Sequence, residues 1–530
     1  MNRYILGALA AAISVSLTSC NDWLNEETPG NNELEDYFTS GATAERVVNA
    51  AYTPLAWEYN DTYFSEWYIG DIASDDALKG GQNLADGSEA YDIDNFKVNI
   101  NNAILLDYYR AKFQGIARCN LALKSVPGVE LDETLSESRR DCLMGEAYFM
   151  RAFYYFQLVR VFGGVPLIDE VLDSSDKWQQ PRATAEETYD HIINDLIQAE
   201  KFLWEKNTYD EKDLGRATRG AAVAMLCKVY LYRHDYENAY KWGKIFRDEE
   251  YGSQYRLMDN YADNFLLANE NGPESVFEIQ YMSDPTSDYG EGFGFTRGAF
   301  STILTRPRMS SLGGQKGWGF NHPTHNLYNE FEPGDSRREA AIGVPDAESQ
   351  AEVEVMYLNT PYYNNKVSYS ENGTFPALDH AARSPYNYRL IRTSDVLLLY
   401  GEAALESGHI TDAKWALEEV RARARRSATT ANALPAFPGY LGYTDTTDDL
   451  RRAIRHERRV ELAMEGHRWF DLVRWGIAYD VLDKDNGSYG RNEDEIVRAE
   501  MASFVKGKNE LFPIPAEEIA LNPMEQNPGY

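Results

Sequence analysis

The chain has 530 residues, 43% of them apolar, with a mean hydropathy of −0.53. That is length for one large domain or two to three ordinary ones with a real core. The formal charge of −32 argues against a duplex nucleic-acid surface, which needs a basic field, and leaves neutral or cationic ligands open.

The first twenty residues, MNRYILGALAAAISVSLTSC, carry Arg3, then an apolar stretch to Leu17, then small residues before Cys20. This is the layout of a secretory signal, too short and wrongly flanked to span a membrane. Leu17-Thr18-Ser19-Cys20 resembles a bacterial lipobox, which implies cleavage after residue 19 and lipid on Cys20. A multiply acylated cysteine anchors firmly where a single chain would not. Residues 20–42 are polar, rich in turn signals, and read as a lipidated tether.

Helical patterning dominates residues 43–249. TAERVVNAAYTPLAWEY reads as a helix with Thr43 as N-cap and Val47, Val48, Ala51 and Leu55 on one side. A helix then runs to Pro127-Gly128, and a long one ends at Gly163-Gly164. Thr184 and Glu187 form a capping-box pattern, and a break near His234-Asp235 divides the following helical stretch into two. Small residues interleave with aromatics at helical spacing, as at Ala152 and Phe156. Helix pairs of roughly 34 residues with such interlocking mark tetratricopeptide-type stacks. Cys119, Cys142 and Cys227 lie inside helical stretches with no C-x-x-C pair, so they read as buried thiols, with one disulfide an open alternative and zinc disfavoured.

Residues 250–390 change character, becoming rich in Gly, Asn, Asp, Pro and Tyr, with ESVFEIQY as a short strand. Long irregular segments in a compact protein are usually functional. Helices return over 391–530 as a pair turning at Gly408, and the prolines of the tail bar a further long helix. The fold class is therefore mostly α: tetratricopeptide-like helix pairs packed with an irregular, loop-rich subdomain containing a few short strands.

The densest chemistry lies in AIRHERRVELAMEGHRWFDLVRWG, residues 453–476. A metalloprotease helix needs two histidines one turn apart, whereas His456 and His467 are eleven residues apart, so the metal reading fails on spacing. Carboxylates and arginines interleave, so no basic face forms. Glu457, Glu461 and Glu465 fall at i, i+4 and i+8, on one helical face, and such a row needs cations to answer it. A buried ion-pair lattice bracing the fold is the preferred reading.

The pattern Ile454, Glu457, Arg458, Glu461, Leu462, Glu465, Gly466, Arg468, Asp471, Leu472, Arg474, Trp475 resembles the carboxy-terminal signature of the SusD/RagB family of Bacteroidota surface lipoproteins. CNDWLNEETP, GDIASDDA, AYFMRAFYYFQLVRVFGGVPLI, GWGFNHPTHNLYNEFEPGDSRR, YRLIRTSDVLLLYGEAALESG and LFPIPAEEIALNPMEQNPGY resemble its other blocks. The resemblance implies a lipid-anchored protein at the cell surface of the outer membrane. It implies non-catalytic capture of a neutral oligosaccharide or polysaccharide for a SusC-like TonB-dependent transporter. An oligopeptide-capturing, RagB-like role is the second reading, and a glycosidase with two carboxylates the third. No cofactor, metal or nucleic acid is expected.

Sugar rings stack their C–H patches on aromatic faces, so loop aromatics are the binding candidates. Three loops supply them: Tyr91 and Phe96 in one; Tyr289, Phe293, Phe295 and Arg297 in the next; Trp318, Phe320 and Asn321 in the third. Glycines around Trp318 and Phe293 leave those rings room to be presented. Asp75 and Asp76 could bind hydroxyls but are read first as turn caps. Trp57 and Trp67 are read as packed against the first helices.

Overall fold

The computed structural model describes residues 38–530 except 173, 285–296, 309–316, 346–359, 368–377, 379, 486 and 488–502. Cys20, Tyr289, Phe293 and Phe295 therefore lie outside the described residues. None of the described helices is long and apolar enough to cross a membrane.

The frame is a run of helices: α1 (Gly41–Tyr52), α2 (Ala103–Ser125), α3 (Glu137–Phe162), α4 (Ala185–Phe202), α5 (Arg219–Tyr232), α6 (Tyr236–Ile245), α7 (Thr393–Glu406), α8 (Ile410–Arg426), α9 (Thr447–Glu461) and α10 (Arg468–Arg474). From α1 to α8 each packs on the next, as expected of stacked helix pairs. Local chemistry sets the boundaries. Asn102, Ser136, Thr218, Asp235 and Thr446 each accept a hydrogen bond from a first-turn N–H. The Thr184–Glu187 capping box forms as the sequence predicts. The first helix differs by three residues: its N-cap is Ser40, and Thr43 is the reciprocal partner inside the turn. Val47, Val48, Ala51 and Leu55 are all buried, but Leu55 belongs to a 3₁₀ turn opened by Pro54, because proline cannot continue the helix beyond Tyr52.

Sheet is sparse. Strands β1 (Ala77–Gly80), β2 (Ser275–Ile279), β3 (Phe320–Pro323), β4 (Ile342–Gly343), β5 (Tyr363–Asn364) and β6 (Tyr388–Arg392) form three antiparallel two-stranded pairs, β1–β3, β2–β6 and β4–β5. The β2–β6 pair ties the start of the loop-rich region to the strand that leads into α7.

Cys119, Cys142 and Cys227 are free and buried, which closes the disulfide alternative. Burial raises all three thiols, Cys142 to about 11, so none is a ready nucleophile.

The 453–476 stretch forms a buried charge lattice with side chains from α8, β6 and the loop-rich region. Arg337 bridges Glu457 (2.6 Å), Glu461 (3.0 Å) and Asp335 (2.7 Å). From α8, Arg421 reaches Glu457 and Glu332, while Arg423 reaches Glu461 and Glu274. From β6, Arg392 reaches Glu274, Glu461 and Glu465. Lys366 completes the set on Glu465 at 2.6 Å. One expectation changes: Glu465 is not on the helix. The helix ends at Glu461, and Met464 and Gly466 take positive φ, which folds Glu465 back beside Glu461. The two histidines part company. His456 sits 2.7 Å from Glu330, and His467 is buried near Lys228 and Asp395.

Candidate functional site

The site is built on residues 57–65 and a short helix, Ser301–Thr305. Glu58 is buried, and its Oε2 accepts the N–H of Phe300 at 2.6 Å and of Ser301 at 3.0 Å. Burial raises the Glu58 carboxyl above its usual range, and these hydrogen bonds oppose the rise. Trp67 donates its indole N–H to Ser301 Oγ at 2.9 Å. Both tryptophans that the sequence places in packing, Trp57 and Trp67, are buried.

This anchoring fixes the Phe300 backbone; half-buried Tyr59 and Tyr63 pack on its ring, and half-buried Trp318 joins through Tyr63. Tyr59 and Tyr63 face each other across an isolated β-bridge with ring centres 4.9 Å apart. Tyr63 packs on Phe300 at 5.2 Å and meets Trp318 edge to face at 5.3 Å. Tyr59, Tyr63 and Trp318 all keep part of their surface in water. The Tyr63–Trp318 pair is edge to face and the Tyr59–Tyr63 and Tyr63–Phe300 pairs are tilted, arrangements that aromatic rings favour over a face-to-face sandwich.

The Gly-Trp-Gly block explains how Trp318 is held. A Cβ on Gly317 would lie 2.0 Å from the Arg306 carbonyl oxygen, so only glycine allows this close approach. Gly319 sits at φ +73, in the left-handed region. Between them, Trp318 donates its N–H to Ile303 O (2.9 Å) and its carbonyl accepts from Arg308 Nε (2.6 Å). Arg308 also pairs with Asp86 at 2.8 Å, which ties the loop of residues 82–87 to the Trp318 backbone.

The other predicted residues go elsewhere. Tyr91 is buried beneath Lys97. Phe96 is buried, its ring 5.2 Å from Phe504 and 6.2 Å from Trp469. Phe320 is buried under the Lys79 ammonium. Asn321 is fully buried and donates to Asp71 Oδ2 at 3.0 Å, so it is a packing partner in this structure and presents nothing to solvent. Burial raises that Asp71 carboxyl to about 7. Asp75 and Asp76 are not turn caps. Arg468 grips Asp75 with two hydrogen bonds, and Arg459 holds Asp76 at 2.8 Å. Arg297 is exposed and pairs with Asp284, lining a cleft of about 680 Å³ that Trp318 does not touch. Sequence reading missed Tyr59 and Tyr63. Their signal was Pro54 followed by the Asn60-Asp61 turn, which separates two aromatics from the helix they follow.

No group of three or more His, Cys, Asp or Glu among the described residues is arranged to hold a metal ion.

Comparison with known proteins places the chain. A profile of the SusD family matches residues 273–530. A second profile, described as starch-binding and associating with the outer membrane, matches residues 22–231. The chain belongs to the SusD/RagB family. It is 26% identical over 530 residues to the SusD-like protein P2 of Formosa agariphila, covering 97% of this chain and 98% of that one. Among solved structures, a laminarin-binding SusD-like protein is 29% identical with a TM-score of 0.76, covering 93% of this chain and all of that one. Surface glycan-binding protein A from Bacteroides uniformis is 27% identical with a TM-score of 0.75, covering 92% and 99%. The mostly helical architecture is that of these SusD-like structures.

Proposed function

We propose that this SusD/RagB chain is a non-catalytic surface lipoprotein that captures a neutral oligosaccharide or polysaccharide on Tyr59, Tyr63 and Trp318. It passes the glycan to a SusC-like TonB-dependent transporter. The observation that carries the reading is the cluster of three partly exposed rings, Tyr59 and Tyr63 packed on Phe300 and Trp318 packed on Tyr63. Stacked C–H faces and a few fixed polar groups are what a sugar site needs. The saccharides named for its structural relatives support the same class. Non-catalysis is supported by the local carboxylates. Glu58 is occupied by backbone N–H groups and Asp86 by Arg308, so neither stands as a free acid–base pair. The lipobox-like Cys20 supports anchoring at the outer membrane. Tyr289 and Phe293 remain proposed contacts from their sequence context.

The test is calorimetry of the soluble form, begun after residue 20, against neutral hexasaccharides and hexapeptides, with recovery of the ligand. Saturable binding of a saccharide recovered intact supports the proposal. Shortened products would refute non-catalysis, and binding of peptides alone would favour the RagB-like reading.

A further inference from the structure

A roomy cleft lies apart from the aromatic platform. It opens between the end of α1, the turn at residues 212–216 and the chain leaving β2, with a volume of about 680 Å³. That lies within the ~300–1,000 Å³ typical of small-molecule sites.

Its floor is polar but electrically satisfied. Arg216 bonds to Asp213 (2.8 Å), Glu146 (3.0 Å) and Asn49 Oδ1 (2.9 Å), and Tyr52 donates to the same Glu146. The charges of this floor answer one another, and the exposed cations of the lining, Lys212 and Arg297, stand outside it. Its rim is apolar where a rim should be wet. Leu214 is 41% exposed and Met282 51%, and both face into this one cleft. Exposed large apolar side chains that converge on a concavity mark a binding surface more than scattered ones do. Hydrogen-bond donors sit beside them. Arg297 spends one N–H on Asp284 and stays 62% exposed, and a guanidinium has five to give. Asn49 uses its Oδ1 on Arg216, which leaves the amide N–H groups.

Apolar rim, neutralised floor and a few donors together fit a neutral, hydroxyl-rich chain. We infer that this cleft is a second saccharide site, taking a segment of neutral oligosaccharide through C–H contact with Leu214 and Met282 and hydrogen bonds from Arg297 and Asn49. The inference rests on the saccharide-capture reading but not on Trp318. The segment at residues 52–63 carries both places, with Leu55 and Ala56 lining the cleft and Tyr59 and Tyr63 forming the platform.

The test titrates laminarihexaose, maltohexaose, cellohexaose and a hexapeptide pool against wild type, Trp318→Ala, the double variant Leu214→Asp/Met282→Asp, and Arg297→Ala. All the cleft substitutions are at exposed positions, so unaltered melting is expected. The inference predicts that the double variant weakens the bound saccharide roughly tenfold and Arg297→Ala several-fold. Loss in the cleft variants with Trp318→Ala unchanged would uphold the cleft and remove the platform. Loss in Trp318→Ala alone would overturn the cleft and keep the platform. No saccharide binding, or binding of peptides only, would overturn both.

Discussion

At the scale of single residues, what a side chain does is set by whether its backbone turns it inward. Phe96 and Asn321 stand in stretches that the sequence reads as loops ready for a ligand, yet both adopt positive φ, both are buried, and Asn321 lies in β3. Nothing in the spacing of a loop reports that reversal, because periodicity arguments assume helix or strand geometry. Trp318 was legible because glycine flanks it on both sides, and the structure supplies the reason in the 2.0 Å approach at Gly317. Gly317→Ala should therefore push the 317–319 chain off Arg306. Loss of saccharide affinity similar to that of Trp318→Ala, with a lowered melting midpoint, is the expected outcome of paired calorimetry and thermal unfolding.

His456 provides a second prediction at this scale. Burial alone would lower it, but hydrogen bonds and charge from Glu330 and Glu332 raise it to about 9. A folded value above the unfolded one stabilises most when the ring is charged. Its contribution is full below about 6.5, falls between there and about 9, and is gone above. In His456→Gln, denaturant midpoints should lose that alkaline decline relative to wild type. An unchanged slope between the two would remove His456 as its source.

At the scale of elements, the helices were readable because their signals are local: a capping side chain three residues from its partner, a glycine after the last turn. The ends of α1 and α9 were not. Ser40 takes the cap expected at Thr43, and the left-handed turn after Glu461 breaks the predicted three-glutamate face. The lattice survived that break because its cations come from other elements, Arg337, Arg392, Arg421 and Arg423, and Arg392 holds Glu465 and Glu461 together. Acid–base alternation along one segment shows that partners exist, and only the tertiary fold shows which. Removing one member leaves buried charge unanswered. Arg392→Met should cost about 3–5 kcal/mol of unfolding free energy. Arg451→Met, at the more exposed pairs with Glu406 and Asp448, should cost less than about 1 kcal/mol. Equal costs in denaturant melts would show that the lattice is no stronger than surface ion pairs.

At the scale of the whole molecule, a stack of helix pairs supplies a wall, and the partly exposed aromatics come from two irregular segments, Tyr59 and Tyr63 from the chain after α1 and Trp318 from the chain between β2 and β6. The stack was legible from helical patterning and interlocking small and aromatic residues, although its period is loose. The platform was legible by half, because Tyr59 and Tyr63 join Trp318 only through contacts more than 230 residues apart in sequence, such as Ser301 with Trp67. The proposed lipid on Cys20 would set where this surface works. If Cys20 bears the lipid, Cys20→Ala should move the protein from the membrane pellet to the soluble fraction after cell fractionation, with saccharide affinity intact. The central claim is that the ring platform captures a saccharide without cleaving it. Its most direct measurement is calorimetric titration of wild type and Trp318→Ala with the saccharide that binds best, followed by chromatography of the recovered ligand. The account predicts a ligand of unchanged length and an affinity lowered roughly five- to thirtyfold by the substitution; a shortened ligand, or equal affinities, would contradict it.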